Sequence, residues 1–437
     1  MSQPAIRPRR IIFVNRFCYP DVSATSQMLW DIATRLAGGG AEVHVICSRQ
    51  LYENARAELP SHECIQCIHI HRVATTKLGR AHLAGRALDY ASFYASSALA
   101  MFRVGRAGDV LVVKTDPPLL SILGATAAAL RGMTLVNWLQ DVFPEVATRL
   151  AITRLPRWLE RMLQAARDRS MRGAAVNIVL GERMLSYFVA RGIARDRLRV
   201  IENWADGDAV TPRRSEESTL RDRLSLRDHF VVEYSGNLGR AHEIETLLDA
   251  AERLRTEPGI VFLMIGGGVH TVRLETLARE KGLTSFRFLG YQPRSELADS
   301  LAAADVHLAC LLPALEGFVV PSKIYGILAA GRPTVFIGDL EGELAQVLRA
   351  GDCGLSVACG DGAGLAQALL ALRANPMLAQ HMGRRARELF ESRYTLDSAS
   401  AKWVALLDEL NQGSGRSSVT SSLAQTSDDR KFSSLRR

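Results

Sequence analysis

The chain is poor in aromatic residues and contains no long apolar run. Aromatic side chains make up 6% of the 437 residues, and residues 90–102 and 117–130 are two long uncharged segments. As helices these segments would be about 20 Å long, whereas the hydrocarbon core of a membrane is about 30 Å thick. Neither segment is therefore expected to cross a bilayer, although either could dock on its surface.

We expect no secretory signal, and the number of cysteines is odd. Arg7, Arg9 and Arg10 lead directly into a short apolar strand without a cleavage site. Seven cysteines, an odd number in a long chain, favour free thiols in a reducing compartment. We therefore expect a cytoplasmic location, and a peripheral position at the inner face of the plasma membrane is compatible with it.

One cluster combines a C-x-x-C pair with histidines and could be drawn as a zinc site: His62, Cys64, Cys67, His69 and His71. Residues 68–71 alternate apolar and polar, however, which is typical of a strand with Ile68 and Ile70 on one face. No second C-x-x-C accompanies the first. We favour the strand and expect no metal.

The formal charge of +8 does not come from one basic block. Arginines are scattered through helical sequence such as residues 154–172. This distribution argues against nucleic acid as a partner and favours phosphate-bearing ligands or an anionic membrane surface.

A chain of this length is too long for one hydrophobic core, and its patterns alternate between strand and helix. Apolar strands are predicted at residues 11–15, 43–47, 109–114, 133–138, 175–180 and 198–201, and again at 230–235, 260–265, 287–289, 306–310 and 334–337. Helical patterns separate them, so a parallel, doubly wound sheet is predicted in each half. A charged segment with proline, residues 206–228, separates the halves.

Polar loops follow several strands at the carboxyl edge, where open α/β sheets bind ligands. In the second half, Gly236 to Gly239 form a turn that lets the backbone approach an anion. Arg240 and Lys323 supply positive charge for a diphosphate. Taken alone, a glycine turn with solvated cations would be the simpler explanation, but the presence of Glu316 and Lys323 in the same half of the chain favours a ligand site.

A dinucleotide-binding site is not indicated. The G-x-G-x-x-G signature should open the helix after the first strand, yet no glycine occurs between residue 15 and Gly38. The run from Gly266 to Gly268 lacks the required spacing. A dehydrogenase is therefore disfavoured.

Taken together, the motifs resemble glycosyltransferase family 4, and the resemblance covers about residues 10–410. In the second half it is carried by SGNLGR from Ser235, FLMIGGG from Phe262, FLGY from Phe288 and EGFVVPSKIYGILAAGRP from Glu316. In the first half, PDVSATSQ from Pro20, TDPPLLS from Thr115 and QDVFPEVA from Gln140 are similar to bacterial members that build capsule, O-antigen and colanic acid type polysaccharides. The family implies an α/β, GT-B fold, with two facing Rossmann-like domains and an interdomain cleft.

The resemblance also implies roles for individual residues. Glu316 would hold the donor sugar, Arg240 and Lys323 would neutralise the diphosphate, and Asp141 would orient the acceptor or the donor sugar. Residues expected to line the donor site are Gly236, Asn237, Gly239, Tyr291, Gly317, Phe318, Val319, Val320 and Ser322, with the backbone amides of residues 317–320 facing the sugar and phosphates. Residues expected on the acceptor or diphosphate side are Asp21, Ser23, Ala24 and Thr25.

Two positions depart from the family pattern. A second glutamate usually lies five residues before the glycine that ends the helix, where it binds the ribose of the nucleotide. Gly331 sets this register, and the position holds Gly326. In the first loop, Ser23 and Ala24 replace a frequent glycine pair. Glycine at position 326 cannot accept a hydrogen bond from the ribose, so the resemblance only weakly predicts which nucleotide is bound.

The resemblance further implies a domain organisation. Residues 1–205 are predicted to form an acceptor-side Rossmann-like domain, 206–229 a linker and 230–395 a domain that binds the donor nucleotide. A helix at 396–410 could cross back to the first domain, and the composition of residues 411–437 predicts a disordered tail.

We thus predict a retaining, metal-independent glycosyltransferase without a cofactor. It would move a hexosamine or deoxyhexose from a sugar nucleotide, UDP-linked in preference to GDP-linked, to a lipid-linked glycan in bacterial surface polysaccharide synthesis. Peripheral contact with the anionic inner membrane is part of this prediction. A sugar-nucleotide epimerase on the same fold and a non-catalytic scaffold of a polysaccharide assembly complex are the alternatives.

Overall fold

The structure is a computed structural model that describes residues 10–52, 54, 57–78, 83–152 and 155–412. The predicted tail falls almost entirely on residues 413–437, which lie outside the described residues.

Fourteen strands are described, and all are short and mostly apolar. They are β1 Arg10–Val14, β2 Glu42–Ser48, β3 His62–Ile65, β4 Ile68–Val73, β5 Val110–Lys114, β6 Thr134–Trp138, β7 Val176–Val179, β8 Leu198–Val200, β9 Phe230–Asn237, β10 Ile260–Gly267, β11 Phe286–Leu289, β12 Val306–Cys310, β13 Thr334–Ile337 and β14 Gly354–Val357.

The described strands form two sheets. The order in the first is β3-β4-β2-β1-β5-β6-β7-β8, and the order in the second is β11-β10-β9-β12-β13-β14. Neighbouring strands such as β1 and β2 or β9 and β10 pair in parallel, whereas β3 and β4 are antiparallel. The second sheet has the 3-2-1-4-5-6 order of a classic doubly wound fold. The prediction of a parallel sheet in each half is confirmed.

Helices connect the strands, as parallel pairing requires. They are α1 Ala24–Gly38, α2 Leu83–Val104, α3 Leu120–Arg131, α4 Glu145–Arg149, α5 Arg157–Gly173, α6 Glu182–Ala190, α7 Thr219–Arg223, α8 Glu245–Arg253, α9 Val269–Glu280, α10 Leu297–Ala302, α11 Lys323–Ala329, α12 Glu343–Gly351, α13 Gly362–Ala374 and α14 Pro376–Arg393. A further helix, α15, spans 396–412.

The chain forms two compact units. The first comprises Met1–Val112, Ala127–Val136 and Ser400–Arg437, and the second comprises Val113–Thr126 and Asn137–Ala399. In the first unit, β1 is buried, and the ring of Phe13 lies 6.0 Å from the ring of Trp403 in α15. In the second, strands β9, β10 and β12 supply a core that α8 and α13 cover.

The histidine segment is a strand pair and not one continuous strand. Gln66 and Cys67 adopt positive φ angles in the turn between β3 and β4. Ile68 and Ile70 are buried while His69 alternates with them, so the strand periodicity is confirmed. Nδ1 of His44 lies 2.9 Å from Nε2 of His71. Within the described residues, no group of three or more His, Cys, Asp or Glu side chains is arranged to hold a metal ion.

In the part of the chain that is described, no helix is both long enough and apolar enough to cross a membrane.

Candidate functional site

The turn after β9 requires glycine because two backbone segments meet there. Gly236 has a φ of +118°, and a Cβ on Gly266 would lie 2.3 Å from the carbonyl oxygen of Gly236. A Cβ on Gly268 would lie 2.4 Å from the carbonyl oxygen of Leu238. The glycines after β10, which do not fit a dinucleotide signature, therefore allow this turn to lie against its neighbour.

Lys323 lies beneath this turn at the start of α11. Its Cε is 4.0 Å from the position that a Cβ on Gly236 would take, and its Nζ lies 3.4 Å from the centre of the Tyr234 ring. Nζ is buried and has no hydrogen-bond partner among the described residues. Burial lowers the pKa of Lys323 from 10.5 to about 8. A buried ammonium without a counterion is costly, and an anion at the turn would offset that cost.

Arg240 and Asn237 lie on the outer side of the same turn, and both are exposed. No ion pair of Arg240 occurs in the described part of the chain. The turn thus combines one buried cation, Lys323, and one exposed cation, Arg240.

Glu316 is held by the first turn of α12. The backbone amide of Glu343 donates a 2.6 Å hydrogen bond to Oε1 of Glu316. A Cβ on Gly342 would lie 2.6 Å from Oε2, so glycine at this position makes room for the carboxylate. Burial raises the pKa of Glu316, the negative charges of Glu343 and Asp339 add to the rise, and the amide of Glu343 opposes it. Backbone amides at a helix start stabilise a carboxylate.

A second carboxylate joins Glu316 to α6. Oε2 of Glu343 accepts a 2.8 Å hydrogen bond from the backbone amide of Arg183. A Cβ on Gly181 would lie 2.6 Å from the Glu343 carboxyl carbon, and a Cβ on Gly317 would lie 3.4 Å from the carbonyl oxygen of Arg183. The start of α6, the start of α12 and the loop at Glu316 therefore form one polar cluster.

The loop from Gly317 to Val320 is packed on apolar side chains. The Phe318 ring lies 4.9 Å from the Tyr187 ring, nearly perpendicular to it, and the carbonyl oxygen of Phe318 accepts a 3.0 Å hydrogen bond from the amide of Val142. The amides of Phe318 and Val319 donate to the carbonyl oxygen of Leu315, at 3.0 and 3.3 Å. In this structure these two amides are therefore used within the loop, which differs from the expectation that they face a ligand.

Asp141 follows β6. The residue is exposed, but desolvation of its carboxyl by the surrounding protein raises its pKa to about 6, and the negative charge of Asp116 adds to the rise. A small cavity beside it, with a volume of about 20 Å³, is also lined by Asn137 and Arg167. A pKa near 6 suits a group that gains or loses a proton near neutral pH.

Three further residues that the sequence analysis singled out lie in the second half of the chain: Tyr291, Ser322 and Gly326. The Tyr291 ring is exposed after β11, and its Cε2 would lie 3.3 Å from a Cβ on Gly267. Ser322 is exposed and precedes α11 without capping it through its side chain. A Cβ on Gly326 would meet only Cδ1 of Leu301, at 3.6 Å, so space for a side chain exists where the family usually has glutamate.

Asp21, Ser23, Ala24 and Thr25 lie in the first unit. The carboxylate of Asp21 is buried, where it accepts hydrogen bonds from the Ser23 amide, at 2.8 Å, from the Ser23 hydroxyl and from the Tyr52 amide. Helix α1 begins at Ala24, so Ala24 and Thr25 belong to a helix and not to the predicted loop. These contacts show that Asp21 orders the start of α1.

The sequence analysis did not identify Glu343, Gly342 or Arg183 as site residues. Gly342 and Glu343 could have been identified, because they open the helix that follows β13 at the carboxyl edge of the sheet, where ligands bind. The contact with Arg183 was not readable, since the two residues are 160 positions apart.

Family models match the chain in both halves. The model described as "Glycosyl transferase 4-like domain" matches residues 24–204, and the one described as "Glycosyl transferases group 1" matches residues 229–375. Together they cover more than half of the chain.

Relatives occur among bacterial proteins. WcaI of Escherichia coli K12 carries the name of a colanic acid biosynthesis glycosyl transferase. It is 31% identical over a region that covers 38% of this chain and 40% of WcaI. WbjE of Pseudomonas aeruginosa, named as a glycosyltransferase, is 27% identical over 56% of this chain and 60% of its own length. The chain thus spans about half the length of these relatives.

Solved structures share the fold. Sucrose-phosphate synthase from Thermosynechococcus elongatus superposes with a TM-score of 0.74 at 17% identity, covering 93% of this chain and 100% of that one. HepE of Anabaena in complex with UDP-glucose gives 0.68 at 16% identity, over 92% and 100% of the chains. WaaG, described as a glycosyltransferase of lipopolysaccharide biosynthesis, gives 0.66 at 16%, over 91% and 99%. These likenesses show the GT-B fold. With both halves matched by family models and the sheets in this arrangement, the chain belongs to the glycosyl transferase family that those models describe.

Proposed function

We propose that the protein is a retaining, metal-independent glycosyltransferase of bacterial surface polysaccharide synthesis. It moves a hexosamine or deoxyhexose from a UDP-sugar to a lipid-linked glycan. The observation that carries the proposal is the buried, unpartnered Nζ of Lys323 beneath the glycine turn at Gly236. The names of the relatives WcaI and WbjE support the reaction class.

The chemistry follows from the charges that develop as the sugar leaves. Breaking the bond between the anomeric carbon and the diphosphate places negative charge on the leaving group and positive charge on the sugar ring. Lys323 and Arg240 stabilise the first, and removal of one such fixed donor costs on the order of 3 kcal/mol of transition-state stabilisation. In our proposal the leaving phosphate accepts the proton of the acceptor hydroxyl, so no pair of carboxylates spaced for hydrolysis is needed.

Glu316 binds the donor sugar in this proposal. Its Oε1 is oriented by the amide of Glu343, which fixes one oxygen and leaves lone pairs on both for sugar hydroxyls. The raised pKa of Glu316 reflects burial, and hydrogen bonds from sugar hydroxyls would favour the ionised form.

The exposed face of α5 supports the proposal of a lipid-linked acceptor. The exposed residues of this helix recur at helical spacing and include Trp158, Arg161, Met162, Arg169 and Arg172. Trp158 and Met162 are 67% and 52% exposed. An aromatic and a thioether side chain among arginines suit the interface of an anionic bilayer. We propose that this face contacts the inner face of the plasma membrane.

Incubation of the purified protein with a UDP-sugar, with and without a lipid-linked acceptor, tests the function. We expect UDP release that depends on the acceptor, and a product with retained anomeric configuration. Conversion of the sugar nucleotide into a stereoisomer without acceptor would identify an epimerase instead. Absence of any turnover across UDP-, GDP- and dTDP-sugars, together with normal folding, would support the scaffold alternative that the missing glutamate at Gly326 suggests.

A further inference from the structure

A large cavity lies at the amino-terminal edge of the second sheet, on the opposite side from the strand ends that carry Gly236, Glu316 and Glu343. Its volume is about 860 Å³. Phe230 is the first residue of β9, while Asp305 and Pro333 immediately precede β12 and β13, and all three line it. Because strands of four to eight residues separate the two edges, by about 13–26 Å, the cavity is distinct from the proposed donor site.

The lining is strongly basic. Three acidic residues face six arginines, which are Arg213, Arg214, Arg332, Arg373, Arg384 and Arg387. Two of the acids are already paired with arginines that are not part of the lining: Asp305 with Arg221 at 2.5 Å, and Glu388 with Arg385 at 2.7 Å. Glu216 is the third. Three of the arginines are likewise paired with carboxylates outside the lining: Arg214 with Glu217 at 2.9 Å, Arg373 with Glu257 at 3.5 Å and Arg387 with Glu391 at 2.7 Å. Arg213, Arg332 and Arg384 remain against Glu216, so the net charge that the cavity presents is positive.

Several of these cations have no carboxylate of their own. In the described part of the chain, the exposed side chains of Arg213 and Arg384 form no ion pair or hydrogen bond. Arg332 donates through Nη2 to the carbonyl oxygens of Arg213, at 2.6 Å, and Ala302, at 2.8 Å, while its buried Nε has no acceptor among the described residues. Backbone carbonyls orient this guanidinium without neutralising it, and a guanidinium fork is well suited to phosphate oxygens.

The backbone around Arg332 is fixed by two glycines. Gly331 has a φ of +64°, and a Cβ on Gly383 of α14 would lie 2.4 Å from the carbonyl oxygen of Gly331. This close approach presents one face of α14, including Ala379, Gly383 and Arg384, to the cavity. Arg332 and Arg384, which follow these two glycines, therefore extend from backbone segments in close contact.

Part of the lining is apolar. Phe230, Leu372, Pro212 and Pro376 provide surface for a carbon-containing body next to the arginines. Cavities of about 300–1,000 Å³ with convergent polar groups are typical of small-molecule sites. Inorganic phosphate would use only the charged part.

We propose that this cavity is a second anion site, which binds a soluble organic molecule carrying at least two phosphate charges, such as a nucleotide or a phosphorylated sugar. The site is independent of the donor site and does not require that the protein use a UDP-sugar.

Binding of ATP and of tripolyphosphate, measured by calorimetry on the full chain, tests the proposal. The measurements use the wild type, Lys323→Met, which removes the donor-site cation, and Arg213→Glu/Arg384→Glu, whose side chains are exposed and should not affect folding. Arg253→Glu/Arg279→Glu, on exposed faces of α8 and α9, is the control with the same change in charge.

We expect ATP binding to persist in Lys323→Met and to weaken about tenfold or more in Arg213→Glu/Arg384→Glu, with a smaller change in the control. Loss of binding in Lys323→Met, or equal binding by the cavity variant and the control, would overturn the proposal. Vesicles containing phosphatidylglycerol form a second arm. If the cavity variant loses only vesicle binding, while the wild type binds neither ATP nor tripolyphosphate, the occupant is a lipid head group and the proposal is wrong.

Discussion

The amide of Glu343 and the carboxylate of Glu316 lie 2.6 Å apart, so the helix that begins at Glu343 holds the residue proposed to bind the donor sugar. The side chain of Glu343 in turn accepts from the amide of Arg183 at 2.8 Å. Two hydrogen bonds from backbone amides to carboxylates thus join the loop at Glu316, the start of α12 and the start of α6, which are far apart in sequence.

Glu316→Gln should separate donor-sugar chemistry from nucleotide binding. The amide side chain retains an oxygen acceptor for the Glu343 amide but loses the negative charge that faces the sugar. We expect the transfer rate to fall by about 100-fold or more, while the affinity for free UDP changes little. Steady-state kinetics and calorimetry measure the two quantities. Glu341→Gln, at an exposed position nearby, is the control, and unchanged transfer by Glu316→Gln would refute the assignment.

Lys323→Met should stabilise the ligand-free protein below pH 8. Because burial lowers the pKa of Lys323 to about 8, the unfolded chain binds more protons at this residue between pH 8 and 10.5. The destabilising effect of the buried ammonium is therefore fully present below pH 8 and disappears as the pH rises to 10.5, and its size is on the order of 1–3 kcal/mol.

Urea unfolding of the wild type and of Lys323→Met at pH 7.5 and 9.5 measures this difference. The stability advantage of the variant should shrink at the higher pH. Lys281→Met, at an exposed position, should show no such change. An advantage of the same size at both values would mean that Lys323 keeps an ordinary pKa.

Binding of UDP should depend on the charge of Lys323. An anion at the glycine turn favours the ammonium, so bound UDP raises the pKa of this residue. Affinity should therefore be nearly constant between about pH 7, where the terminal phosphate of UDP is largely ionised, and pH 8, and fall by up to about tenfold per pH unit above it. In Lys323→Arg the cation stays charged across this range, and whatever affinity remains should not vary with pH. A decline of equal slope in both proteins would exclude Lys323 as its source.

Gly326→Glu should strengthen nucleotide binding. A Cβ at this position meets only Leu301, at 3.6 Å, so the backbone here accepts a side chain. A carboxylate that accepts from ribose hydroxyls should lower the dissociation constant of UDP by about tenfold or more. Gly326→Ala supplies the same gain in helix propensity, about 1 kcal/mol, without the carboxylate. The gain should be smaller for 2′-deoxy-UDP. Equal affinities for the glutamate and alanine variants would place the ribose elsewhere.

The exposed face of α5 should determine membrane association. Replacing Trp158 and Met162 by serine removes the apolar side chains that would enter the interface, and we expect loss of flotation with vesicles containing phosphatidylglycerol. Val272→Ser/Met377→Ser, at positions that are 68% and 72% exposed, is the matched control. Retained flotation of the α5 variant would show that another surface is responsible, or that association does not depend on apolar insertion.

Sequence alone determined the alternation of strands and helices, because local apolar periodicity fixes these elements. The strands at 306–310 and 334–337 were predicted to the residue. The hairpin at Gln66 and Cys67 was read as one strand, because nothing local signals the positive φ angles of non-glycine residues. Strand β14 was missed, and the predicted domain boundaries stay a prediction.

For the candidate site, too, some features could be predicted from the sequence and others could not. The glycine turn, Lys323 and Glu316 could be found from residue types that follow strands at a carboxyl edge. That Nζ of Lys323 is buried without a partner, that Asp21 orders the start of α1, and that Glu343 holds Glu316 could not. Burial and hydrogen bonding depend on which distant segments pack together, so these properties, and the pKa values that follow from them, were decided only by the tertiary structure.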